Sequence, residues 1–70
     1  MITDETTRND AKDMARVLHA ISDRMKELSA KVVLNESSAD GDEIYNIAAR
    51  IESETAAFCS VAGITEKLST

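Results

Sequence analysis

The sequence predicts an all-α fold, an antiparallel two-helix hairpin. Three observations predict it: a heptad of apolar residues through the first half, one broad apolar face at helical spacing in the second, and a polar turn between them. Composition agrees. Proline is absent, the two glycines are Gly41 and Gly63, and Ala, Leu, Ile, Met, Glu, Lys and Arg carry most of the chain.

The first helix is marked by its period. Ala11, Met14, Leu18, Ile21, Met25, Leu28 and Val32 follow one another at alternating spacings of three and four, a seam held for three heptads. Thr7 or Asn9 can cap its start, with Asp10 and Asp13 close to the positive end of the helix dipole. Val33 and Leu34 prolong the apolar character, and Asn35, in a left-handed conformation, is expected to stop the helix. The span is about 8–34.

Residues 35–39 (NESSA) form a polar turn without periodicity. Asp40 starts the second helix, with Glu43 three residues on as in a capping box, and Ser38 is a rival cap. Ile44, Ile47, Ala48, Ile51, Thr55, Phe58 and Ala62 make one apolar face. Gly63 is the expected left-handed residue after the helix, and Ile64 the apolar residue that folds back beside it. This helix covers about 40–62. Residues 1–7 and 64–70 are expected to fray, although Leu68 can extend the pattern.

A short connection makes the helices antiparallel neighbours. Charge supports the pairing: residues 8–34 hold six basic and four acidic side chains, residues 35–62 one basic and six acidic. Met14, Leu18, Ile21, Met25, Leu28, Ile44, Ile51 and Phe58 are the residues expected to seal the hairpin. Val17, Tyr45, Ile47, Val61 and Ile64 exceed what one two-helix seam can bury. Such a surplus marks an interface, and Val17, Tyr45, Ile47 and Val61 are its candidate residues.

Length points the same way. Seventy residues make one domain, and a chain this short buries only about 60% of its unfolded surface. Cys59 is the single cysteine, so it has no intrachain disulfide partner, and with His19 as the single histidine the common zinc sets cannot form. Self-association or a protein partner is the expected remedy. A net charge of −5 argues against general nucleic-acid binding and against an anionic membrane. No apolar run approaches the roughly 20 residues of a membrane span. The opening MITDETTRND is polar and acidic, unlike a signal or an anchor. A lone free cysteine suits a reducing cytoplasm, the expected location.

The sequence offers no catalytic set, no cofactor motif and no metal-ligand cluster. His19 occupies an outward heptad position among charged residues, and Cys59, beside Phe58, reads as a small apolar residue in the packing. Arg8, Lys12 and Arg16 form a short basic stripe that reads as a solvated face. Met14 and Met25 lie on the seam, where packing explains them.

The run RIESETAAFCSVAG at residues 50–63 resembles the end of the small co-chaperones of type III secretion needle subunits, the YscE-like family. Ile51-Glu52-Ser53 stands at that family's aliphatic-Glu-Ser element, and Val61-Ala62-Gly63 at its helix end. The polar turn, the acidic start of helix two and Tyr45 are also similar. The resemblance implies a cytosolic hairpin without catalytic activity. It implies a partner too, a larger chaperone of helical repeats that helps keep the needle subunit unpolymerised before export. The rival expectation is a homodimeric four-helix bundle binding nucleic acid in the manner of repressor-of-primer proteins, with Arg8, Lys12 and Arg16 as its contacts.

Overall fold

The computed structural model describes residues 1–65. Two α-helices follow one another, α1 (Glu5–Asn35) and α2 (Ser38–Ala62), packed side by side along their length. The fold is the predicted all-α hairpin, 46 Å in its longest dimension.

The helix ends differ from expectation. Asp4 caps α1, its Oδ2 accepting from the Thr7 backbone N–H at 2.9 Å and from the Thr7 hydroxyl at 2.7 Å. An aspartate caps as well as Asn9 and better than Thr7, and its charge also faces the positive helix end. The expected fraying of residues 1–7 is corrected accordingly: Ile2 donates its N–H to the Ala62 carbonyl at 3.1 Å, and α1 already runs from Glu5. Asn35 stays helical and no non-glycine residue has positive φ among the described residues, so the left-handed stop expected there does not occur. The turn contracts to Glu36 and Ser37. Ser37, rather than Ser38 or Asp40, caps α2 by accepting from the Asp40 N–H at 3.2 Å.

At the other end the expected glycine stop holds, and the fraying expected from residue 64 onward is corrected at Ile64, which is packed down. Gly63 is left-handed at φ 74°, its N–H donates to Ser60 O, and the Ile64 N–H donates to Cys59 O. Those two bonds make a Schellman motif. Ile64 is buried beside Ala11 and Ala62, with Ile2, Phe58 and Cys59 packed around them. The Arg8 guanidinium reaches this end as well, donating to Gly63 O at 2.8 Å and Ala62 O at 3.3 Å. A cation there offsets the negative end of the α2 dipole. Leu68 and the rest of residues 66–70 lie outside the described residues.

The hairpin interior consists of small side chains. Ala11, Ala15, Ser22 and Ser29 are the buried residues of α1, and Gly41, Ala48, Thr55 and Ala62 those of α2. In α2 the spacing is seven throughout, and Ala15, Ser22 and Ser29 repeat it in α1. Small residues let the backbones approach closely. A Cβ placed on Gly41 would come within 2.8 Å of Ser29 O and of Val33 N. The Ser22 hydroxyl crosses the seam to donate to Ala48 O at 2.9 Å. Ser29 and Thr55 turn theirs back onto their own helices, to Lys26 O and Ile51 O, each at 2.6 Å. Among the described residues no buried side-chain oxygen or nitrogen lacks a partner, which is how a partly polar seam escapes the roughly 1–3 kcal/mol cost of each unsatisfied group.

Candidate partner-binding face

The seam leaves the large apolar residues of α1 outside it. Met14, Ile21 and Leu28 immediately precede Ala15, Ser22 and Ser29, so they lie about 100° round the helix from the interior. They are 53, 43 and 51% exposed, whereas Ala15 and Ser22 are at 0%. The expectation that Met14, Ile21 and Leu28 seal the hairpin is therefore corrected. Leu18 and Met25 are half-buried between the seam and this stripe, as are Ile44, Ile51 and Phe58 on α2.

Antiparallel packing places both sets on one side of the hairpin. A groove of about 600 Å³ runs between the helices, with Met14 and Leu18 on one bank and Ile47, Ile51 and Phe58 on the other. Toward the turn the surface continues through Val32, Ile44 and Ile47, and along α1 through Ile21, Met25 and Leu28. Ile47 thus sits within the apolar face, as a candidate interface residue should. Val17 and Val61, both exposed, fall at its outer margins on α1 and α2.

Tyr45 does not belong to this face. It lies on the opposite side, where its ring has Lys26 Nζ 5.7 Å from the centroid, a cation–π arrangement. That opposite side is mixed: near the turn Tyr45 shares a shallow apolar hollow with Ala30, Val33 and Leu34, and polar pairs occupy the rest. The Lys26 ammonium is hydrogen-bonded to the Glu52 carboxylate across the two helices, and His19 Nε2 is 3.5 Å from Asp23 Oδ2 along α1. The Lys26–Glu52 hydrogen bond holds the Lys26 pKa above its ordinary value and the Glu52 pKa below its own. At the start of α1 the Asp4 carboxyl is likewise lowered, first by the Thr7 backbone N–H and then by the Thr7 hydroxyl. Each of these shifts belongs to a group that staples or caps the hairpin.

The rims of the apolar face carry charge of two kinds. On α1 the bordering residues are Arg24, Glu27 and Lys31. On α2 they are Asp40, Glu43, Arg50 and Glu54. The basic stripe named from the sequence is engaged within the chain. Arg8 bonds the α2 carbonyls, Arg16 pairs with Asp13 at 3.0 Å, and Lys12 is half-buried. Cys59 is half-buried against the Ala11, Ala62 and Ile64 cluster.

No helix among the described residues is long and apolar enough to cross a membrane. No protein-family model, no curated protein and no solved structure matches the chain. The site is thus characterised by its geometry: a long apolar strip on one side of a two-helix layer, with charged borders, and on the other side polar pairs and a smaller apolar hollow at Val33, Leu34 and Tyr45.

Proposed function

We propose that this chain is a non-catalytic adaptor that docks its apolar face against a helical partner protein. One observation carries the reading. Met14, Ile21 and Leu28, three large side chains at heptad spacing, stand outside the interior that the hairpin builds for itself. Helix-in-groove recognition uses such anchors at helical spacing. The more specific form of the proposal is a cytoplasmic co-chaperone of type III secretion. In that role the face packs on a larger helical-repeat chaperone, and the pair keeps the needle subunit unpolymerised. It is supported by the likeness of Ile51-Glu52-Ser53 and Val61-Ala62-Gly63 to the YscE-like pattern. The left-handed Gly63 fits the helix end which that pattern implies.

Affinity capture from the native lysate tests it. The expected recovery is a helical-repeat chaperone, with or without a small needle-like protein. Ile47→Asp should abolish capture while circular dichroism stays unchanged, because a charge in the middle of the face is desolvated on docking. Undiminished capture by that variant would remove the face from the interface. The nucleic-acid reading has less support, since Arg8 and Arg16 are already bonded within the chain. Retardation of structured RNA or DNA at low salt would revive it.

A further inference from the structure

We propose that, when no other partner is bound, a second copy of this chain covers the apolar face, related to the first by a twofold axis parallel to the helices. This rests on the reading that the face is the docking surface, and it names the occupant and its orientation.

Size fits first. A stable interface takes roughly 800 Å² of accessible surface from each partner, and a side 46 Å long and 18 Å wide is large enough to supply it when the contact runs the length of the hairpin. Period fits next. Met14, Ile21 and Leu28 recur every seven residues, the spacing by which one helix packs along another. The matching element is a helix three heptads long, and α1 and α2, of 31 and 25 residues, each supply one.

The rims decide the orientation. Arg24 and Lys31, with Glu27, border the face on α1, whereas Asp40, Glu43 and Glu54, with Arg50, border it on α2. Two faces can be joined by a twofold axis along the helices or by one across them. An axis across the helices lays α2 upon α2 and reverses height, so Asp40 and Glu43 at the turn end meet the uncharged end of the other α2, residues 56–62, and find no basic partner. An axis along the helices lays α1 of one copy on α2 of the other, and opposite charges meet. It also preserves height. Gly41 packs between Ser29 and Val33, so Lys31 is level with Gly41. Lys31 of one copy then stands opposite Asp40 and Glu43 of the second, and the reciprocal contact forms on the other edge. The result is a four-helix bundle, and self-pairing competes with partner docking for one surface.

Sedimentation equilibrium on the full chain, alone, tests this between about 1 µM and about 1 mM. The expected weight-average mass rises from 7.6 kDa toward twice that value. A monomer throughout that range overturns the proposal. Lys31→Glu and Glu43→Lys should each raise the dimer Kd about fivefold, as rim ion pairs do. The double reversal should return it to within about twofold of the starting value. Both positions are exposed, and unchanged circular dichroism confirms that each variant folds. Single reversals without effect, or a double reversal weaker than either alone, overturn the orientation. A monomeric chain whose Ile47→Asp variant loses partner capture refutes self-pairing while the docking reading stands. A dimer with the reversal pattern but no captured partner supports self-pairing and sinks the docking reading.

Discussion

Two neighbouring stripes of α1 invite comparison. Ala15, Ser22 and Ser29 are buried against α2, and Met14, Ile21 and Leu28, each one residue earlier, stand half in solvent. The more hydrophobic stripe is the one left outside. A chain that used its largest apolar residues to close the hairpin would hold its helices further apart and spend its adhesive surface on itself. Here the interior is made by close approach of backbones, with alanine, serine, threonine and glycine as spacers. The large side chains remain for an external surface. Internal cohesion and external recognition are thereby assigned to different residues of the same helix, and they can be perturbed separately.

The largest expected effect breaks the interior. Ala48→Leu inserts three heavy atoms where nothing is exposed and where Ser22 reaches the backbone. Overpacking of this kind costs about 3 kcal/mol, and in so small a domain the cooperative thermal transition should disappear from circular dichroism. Ser22→Ala comes next. It removes the one described side-chain hydroxyl that bonds across the seam, and a urea denaturation series should show a loss of about 1 kcal/mol. A smaller effect is expected for Leu28→Gln on the outer stripe. With the protein dilute enough to be monomeric, its urea midpoint should correspond to a change within about 0.5 kcal/mol. A loss as large as that of Ser22→Ala would mean that the outer stripe contributes to the interior after all.

The smallest effect is that of pH. Asp4 and Glu52 have lowered pKa values, so their contribution is complete above the ordinary carboxylate values of 3.8 and 4.5 and is lost as pH falls through the lower folded values. Lys26 is raised, so its contribution is complete below 10.5 and is lost as pH rises through the higher folded value. A melting temperature followed against pH should stay level between about 5 and 10 with regard to these groups and decline slightly on either side. The Lys26→Met variant should lose the alkaline decline. If it keeps that decline, another group is responsible.

Most of the fold was legible because a heptad of apolar residues is a strong sign of helix, and because Gly63 followed by Ile64 spells out a helix end. The phase of the seam was not. A reading weighted by hydrophobicity follows Met14, Ile21 and Leu28 and passes over serine and alanine, whose contribution lies in their small size. The available signal was the strict spacing of seven through Gly41, Ala48, Thr55 and Ala62, repeated by Ala15, Ser22 and Ser29. Tyr45 was misplaced for a related reason. An aromatic residue counts as apolar surplus, but its apolar neighbours here are Ala30, Val33 and Leu34 on the other side of the hairpin, with Lys26 over its ring. Ile47, Val17 and Val61 stand out in the sequence because they exceed any single stripe, and the structure leaves Val17 and Val61 exposed and Ile47 half-buried. The cap at Asp4 was missed because the apolar period begins only at Ala11.

The ladder of small residues has a consequence for register. Its rungs repeat every seven residues on both helices, so sliding one helix past the other by a heptad, about 10 Å of rise, brings small residues opposite small residues again. The ladder alone therefore admits several alignments of nearly equal fit. The two-residue turn at Glu36 and Ser37 selects among them at one end, and the bonds from Ile2 and Arg8 to the end of α2 lock the choice at the other. Severed at the turn and mixed as separate peptides, the two helices would pair in a population of staggered alignments, each still zipped along its alanines.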